Sequence, residues 1–151
     1  MRVTTRGRYA VMAMFDLACR RSAEPVPLKQ IAEHQGLSER YLEQLMAPLR
    51  RAGLVQSMRG AQGGYTLGRP AAAISVGDIL RVVEGPISPV ACVTDPLACA
   101  RTDGCVTRGI WSRLRDRMVD LLDSITLADL CQEAASEALT RGVDGHARSL
   151  S

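Results

Sequence analysis

The stretch Leu28-Lys-Gln-Ile-Ala-Glu-His-Gln35-Gly36-Leu37-Ser38-Glu-Arg-Tyr-Leu-Glu-Gln-Leu-Met-Ala-Pro-Leu-Arg-Arg51-Ala-Gly-Leu-Val55 decides the fold. Lys29 to Gln35 reads as a short amphipathic helix. Gly36 permits a tight turn, Leu37 anchors it, and Ser38 caps a second helix from Glu39 to Ala52. Small Ala32, turn residue Gly36 and aliphatic Leu42 have the relative spacing of a helix-turn-helix. Such a unit needs a small residue where two helices touch and an aliphatic to lock the second one. On that second helix Leu42, Leu45, Met46 and Leu49 face inward, while Glu39, Arg40, Glu43, Gln44, Ala47 and Arg51 face out. Pro48 removes one backbone hydrogen bond and predicts a bend between Gln44 and Pro48.

Downstream, Gly53 to Met58 and Tyr65 to Leu67 are strand-like runs around the glycine-rich Arg59-Gly-Ala-Gln-Gly-Gly64. This is a β-hairpin signal. A hairpin directly after a recognition helix is the wing of a winged helix, with Arg59 at its tip. A phosphate-cradling loop at Gly60 to Gly64 is the sharper alternative, but it lacks the Lys-Ser/Thr pair and the strand–loop–helix context. Upstream, Tyr9 to Cys19 is nearly all apolar, with Thr5 as N-cap, and predicts a helix buried on most faces.

Further along, Ser75-Val-Gly-Asp78 is a capping box opening a helix to Val83, and Glu84-Gly-Pro86 stops it. Val106 to Ile125 is a long helix in which Trp111, Leu114, Met118, Leu121 and Ile125 recur at spacings of three and four. That is the seam of a two-stranded pair. Arg113, Arg115, Asp116, Arg117, Asp120 and Asp123 take its wet side. The preceding chain already accounts for a closed core, so the seam points to a partner subunit. Thr126-Leu-Ala-Asp129 opens a short helix through about Leu139. The expectation is a mainly α fold with a small β-hairpin wing. It divides into a winged helix-turn-helix at 1–84, a cysteine-containing loop at 85–105, a dimerisation helix with a short C-terminal helix at 106–139, and a disordered tail at 140–151.

The chain has 151 residues and a net charge of +3, compatible with nucleic acid without demonstrating it. Position says more than the total: Arg2, Arg6 and Arg8 open the chain, and Arg50, Arg51 and Arg59 follow the second helix. With aromatic content at 3%, the core must be aliphatic. No signal peptide or apolar run of spanning length is visible, which predicts a cytoplasmic protein with no membrane association. In that compartment a spaced cysteine cluster means metal or redox chemistry more often than structural disulfides. Cys19 and Cys131, among apolar helical residues, read as core cysteines. Cys92, Cys99 and Cys105 sit together in a Pro-, Gly- and Asp-containing loop and are the candidate sensor residues.

The winged-helix reading brings a way to hold double-stranded DNA. The first turn of the second helix, opened by Ser38, would enter the major groove, and Lys29 would hold phosphate. Arg40, Tyr41, Glu43 and Gln44 belong to this face. Arg suits guanine, Gln suits adenine and Glu accepts from the cytosine amino group. Arg59 on the wing would reach the minor groove.

Several separate motifs then resemble one family in order: Thr5-Arg-Gly-Arg-Tyr-Ala-Val-Met-Ala-Met14, Pro25-Val-Pro-Leu28, Tyr41-Leu-Glu-Gln-Leu45, Gly53-Leu-Val55, Arg59-Gly-x-x-Gly-Gly-Tyr65 and Ile125-Thr-Leu127. Across roughly residues 1 to 135 the chain resembles the bacterial iron–sulfur cluster regulators of the IscR type, within the wider winged-helix repressor family. The resemblance implies a homodimeric transcription factor that controls iron–sulfur assembly genes and holds a cluster near the base of its dimerisation helix, 2Fe–2S as a rule. It implies Cys92, Cys99 and Cys105 as cluster ligands, with one extra residue in the first gap. The family's fourth ligand, a histidine three places after the last cysteine, is Arg108 here. A guanidinium has no available lone pair, so Arg108 cannot take that part. Asp95, Asp103, Glu84, a partner residue or an exogenous ligand remain open for it. A 4Fe–4S centre also suits three cysteines, and thiolates select zinc as well. The competing function is a metal-free thiol sensor in which one of the three cysteines oxidises directly. An enzyme is not expected: no nucleophile–base pair is evident, and His34 and His146 both lie far from the cysteines in sequence.

Overall fold

The structure, a computed structural model, describes residues 3–20 and 23–149, with side chains as far as 142. Arg2 and the side chain of His146 fall outside the described residues. The winged helix is present. Helix α1 spans Thr5–Cys19 and is capped by Thr4, one residue earlier than expected, whose hydroxyl accepts from Gly7 N at 3.4 Å. It buries Ala10, Ala13, Met14 and Leu17.

Helix α2, Leu28–Gln35, ends on Gly36 at φ 67°, a left-handed conformation that a glycine adopts without steric cost. Helix α3, Glu39–Arg51, starts at Ser38, whose hydroxyl accepts from Tyr41 N at 3.1 Å. The inward set is the expected one: Leu42, Leu45, Met46 and Leu49 are all at most 1% exposed, and Ala32 across the turn is 2%. The helix continues through Pro48 to Arg51.

The wing is an antiparallel pair, β1 (Val55–Met58) and β2 (Gly64–Leu67), with Val55 opposite Leu67 and Met58 opposite Gly64. Gly53, expected to begin the first strand, instead turns the chain out of α3 at φ 78°. Val26 adds a bridge to the sheet, exchanging backbone hydrogen bonds of 2.9 and 2.8 Å with Tyr65. A side chain at Gly64 would run into the backbone of Val26 and Pro27, so the bridge requires glycine there.

Helix α4, Val76–Glu84, carries the expected capping box, with Ser75 and Asp78 each bonding the other's backbone at 3.0 Å. The cysteine segment is more ordered than a loop. It contains a one-turn helix α5 (Ala91–Thr94) and a 3-10 turn at Pro96–Ala98. Helix α6 spans Arg108–Ser124, beginning two residues later than the pattern suggested.

Helix α7 opens with the Thr126–Asp129 box, whose reciprocal bonds are 2.9 and 3.1 Å. It runs over Leu127–Ser149, well past Leu139 and through most of the segment read as disordered tail. No proline interrupts this stretch, and Ala134, Ala135 and Ala138 favour helix. Glu137 also pairs with Arg141 one turn on, at 3.5 Å. The two glycines, Gly142 and Gly145, cost about 1 kcal/mol each, too little to end a helix already propagating.

The start of α7 completes the core of the winged helix. Leu127 is fully buried in the cluster that holds Ile74 and Ile79, which contributes roughly 1.5–3 kcal/mol. Its N–H donates to Ile74 O at 2.9 Å, and Val76 N–H donates to Ile125 O at 2.8 Å. The chain thus leaves the core at Glu84, forms the cysteine segment and α6, and returns to the same core at Leu127.

Candidate functional site

Two regions carry the chemistry. The first is the face formed by α2, α3 and the wing. Lys29, Arg40, Glu43, Gln44 and Arg59 are all exposed on these elements. Arg50 donates to the Ser57 hydroxyl at 3.3 Å, joining the end of α3 to β1. Ser38's hydroxyl is committed to the cap, leaving its neighbourhood as a source of backbone N–H donors. Tyr41 differs from the others. Its half-buried ring packs edge-on against Tyr9 at 6.2 Å and 88°, anchoring α3 to α1.

The second region is the cysteine segment. Cys92 lies half-buried on α5, Cys99 is exposed, and Cys105 is half-buried just before α6; all three are free thiols. Ile87 and Val93 are buried side chains of this segment, and α5 packs on α6. Two arginines of α6 finish the job. Arg108 Nε donates to Cys92 O at 3.2 Å, and Arg115 Nη1 donates to Val93 O at 3.2 Å. A one-turn helix leaves its last carbonyls without intrahelical partners, and cations favour that end. Thr107 Oγ1 lies 3.2 Å from the Cys105 sulfur. That contact holds the Cys105 thiol below its ordinary pKa, assisted by the backbone N–H groups of Arg108 and Thr107 and by the charge of Arg101.

The donor chemistry fits an iron–sulfur cluster at three positions, since unbridged thiols are its preferred ligands. It is incomplete at the fourth, where Arg108 holds a backbone carbonyl. Glu84 is committed elsewhere: its carboxylate accepts from Thr4 N at 3.0 Å, from Gly7 N at 2.9 Å and from the Thr4 hydroxyl. An acid at a helix N-terminus satisfies donors that the helix itself cannot. Asp95 caps the 3-10 turn, accepting from Leu97 N at 3.0 Å. His34 sits 2.9 Å from Asp16 on the helix-turn-helix. Among the described residues no three His, Cys, Asp or Glu side chains are gathered at one point.

The structure corrects the reading of Cys19 and Cys131. They are not core thiols: they form a disulfide between α1 and α7, with Cys19 exposed and Cys131 half-buried. Cys19 is the last residue of α1, where the helix emerges from the core, and its partner lies 112 residues away, beyond any local pattern. The roles of Glu84, Arg108 and Arg115 were also missed. The acidic residue beside Gly85 and the arginine spacing on α6 are visible in sequence, but their partners are not.

Helix α6 buries none of its residues. Ile110, Trp111, Leu114 and Leu121 are 50, 38, 42 and 60% exposed, and Met118 is half-buried. Of the residues read as its wet side, Asp123 forms a bidentate pair with Arg81, both bonds 2.8 Å. Among the described residues no helix is long and apolar enough to cross a membrane.

Known proteins share this fold. The family model described as Rrf2, iron-dependent transcriptional regulator, matches residues 3–133. The HTH-type transcriptional regulator CymR of Bacillus subtilis is 47% identical over 137 residues, covering 91% of this chain and 94% of that protein. The HTH-type transcriptional regulator IscR of Escherichia coli is 45% identical over 130 residues, covering 86% of this chain and 80% of that protein. The solved structure of CymR, the global cysteine regulator of B. subtilis, superposes with a TM-score of 0.77, covering 88% of this chain and 98% of that one. Helix-turn-helix, wing and relatives agree, and the chain belongs to the Rrf2 family of DNA-binding transcriptional regulators, proteins that are not enzymes.

Proposed function

We propose that this regulator works in the cytoplasm as a homodimer, and that its operator binding is set by an iron–sulfur cluster held by Cys92, Cys99 and Cys105. The observation that carries the reading is the placement of three free thiols on one short segment that two α6 arginines tie to the candidate dimerisation helix. The cluster, 2Fe–2S or 4Fe–4S, supplies an oxidant-, nitric oxide- and iron-sensitive bond network. The chain's own part is mechanical. Residues 85–105 leave the winged helix at Glu84 and hang from α6 at Arg108 and Arg115, so ordering this segment acts on both. Operator contacts fall to Arg40, Glu43 and Gln44 in the major groove and Arg59 in the minor groove. Lys29 and the Ser38 helix start hold phosphate, and Tyr41 holds α3 in place. The genes served are those of iron–sulfur assembly, as the resemblance to IscR-type regulators implies.

A second reading is favoured by Thr107 and Arg101, which hold Cys105 toward the thiolate with no metal present, and by the likeness to a cysteine regulator. Purification without oxygen separates the two. A coloured protein containing iron and sulfide, whose operator affinity or site preference changes when the cluster is lost, supports the first. A colourless, iron-free protein whose affinity changes on peroxide treatment supports the second. Operator binding indifferent to both treatments refutes both and leaves the cysteines no sensing part.

A further inference from the structure

We propose that Cys19 and Cys131 form a second redox site, separate from the cysteine segment, whose oxidation clamps the C-terminal helix onto the DNA-binding unit. The two residues belong to neither the operator face nor the 85–105 segment. Their Cα atoms are 5.4 Å apart, within the span a disulfide bridges without backbone movement. The helices that carry them are held together independently of the bond. Leu127 is fully buried, Leu130 packs on the same core, and the Ile74–Leu127 and Val76–Ile125 backbone bonds fix the start of α7. Dithiol and disulfide are therefore both compatible with one fold, which is what a reversible couple requires.

Access is asymmetric. Cys19 is exposed at the last position of α1, while Cys131 is half-buried against it. This sets an order of events with a small-molecule disulfide as oxidant. The Cys19 thiolate attacks one sulfur of the oxidant, forming a mixed disulfide and releasing one small thiolate. The Cys131 thiolate then attacks the Cys19 sulfur, forming the intramolecular bond and releasing the second. The two protons given up by the protein end on the two small thiols, so the protein loses two hydrogens and the oxidant is reduced.

The bond closes a loop of sequence separation 112, which takes in the helix-turn-helix, the wing, the cysteine segment and α6. Beyond Cys131 the described residues of α7 are mostly exposed, with little packing to hold them. Oxidation thus converts an arm held by one buried turn into one fastened at two points.

The test uses the full chain with C92S, C99S and C105S, so that its outcome does not depend on what the segment binds. The protein is equilibrated with a series of oxidised to reduced glutathione, trapped with an alkylating reagent and mapped by mass spectrometry. A Cys19–Cys131 linked peptide should appear reversibly. Oxidised protein should melt about 10 °C higher than reduced, with slower amide exchange over 127–134. Adding C19S should abolish all three changes while the reduced-state melting temperature stays. Absence of the linked peptide across the series, or a linked peptide without the melting and exchange shifts, overturns the proposal. Loss of the redox shift in this protein overturns it even if the segment proves to hold a cluster.

Discussion

The exposed apolar face of α6 gives the proposed dimer its most direct test, the double substitution Leu114→Asp and Leu121→Asp. Both side chains are largely exposed in the protomer, at 42 and 60%. The protomer therefore loses little: aspartate in an exposed helix position costs under about 1 kcal/mol. The dimer loses much more. Full burial of a leucine is worth roughly 1.5–3 kcal/mol, so covering the exposed half of each contributes about 1 kcal/mol. A two-fold interface counts each position twice, giving about 4 kcal/mol for the pair of substitutions. That is about a thousandfold in dimer dissociation constant, before any cost of burying carboxylates without partners. Sedimentation equilibrium should show a monomer at micromolar concentration, and circular dichroism should show unchanged helix content. Affinity for a two-half-site operator should fall while that for a single half-site stays. A variant that remains dimeric at the wild-type concentration would show that α6 is not the seam, and the Trp111–Leu114–Leu121 face would need another explanation.

Two further outcomes follow from the same structure. Arg59→Ala at the wing turn should weaken operator binding and lower the slope of log affinity against log salt, because a cation seated in the minor groove also displaces counterions from the DNA; an unchanged affinity and slope remove the wing from the interface. Asp123→Asn should destabilise the protein at pH 7 by no more than about 1 kcal/mol, because both partners are well exposed and the pair is screened. Arg81 holds the Asp123 carboxyl below its ordinary pKa, so the pair stabilises the fold above the unfolded value of about 3.9 and stops doing so as pH falls through the lower folded value. Urea unfolding of wild type and variant should therefore differ at pH 7 and converge in acid, once the pH lies below the lowered folded value of Asp123.

How far these features were legible in the sequence depended on how local their causes are. Ser38, Ser75 and Thr126 each satisfy a donor three residues on, and all three caps were readable as short motifs. Ala32, Gly36 and Leu42 were readable because packing two adjacent helices constrains their spacing. The long-range contacts were not. Glu84 looks like a stop signal in sequence but caps a helix 77 residues upstream. Arg108 was readable as a residue unable to ligate, whereas its bond to the Cys92 carbonyl depends on how α5 docks on α6. The cysteine assignment failed for the same reason: apolar neighbours say that Cys19 lies on a buried helix, not that its own position emerges at the helix end. In the C-terminal segment composition and structure part ways: its polar residues and two glycines suggest a loose tail, yet it contains no proline to break the helix that runs into it.

The placement of these long-range contacts bears on how a sensor could act. Helix α6 is tied at both ends. In its first half Arg108 and Arg115 hold the α5 carbonyls; at its end Asp123 is bound bidentately by Arg81, and Ile125 accepts from Val76. The segment between Glu84 and Arg108 therefore has one terminus on the N-terminal cap of α1 and the other on α6. Under the proposed function, reorganising Cys92, Cys99 and Cys105 around a shared centre acts on the bonds of Arg108 and Arg115 to the α5 carbonyls, because these bonds are made at Cys92 itself and at its neighbour Val93. A hydrogen bond to a charged group contributes about 1.5–3 kcal/mol. A tenfold change in operator affinity needs a bias of only about 1.4 kcal/mol between two states. One such bond, made in one state and lost in the other, is sufficient. Under the proposed function Arg108 thus has a physical use at the position where an IscR-type regulator carries a histidine: it joins the sensing segment to the helix that sets the distance between two reading heads.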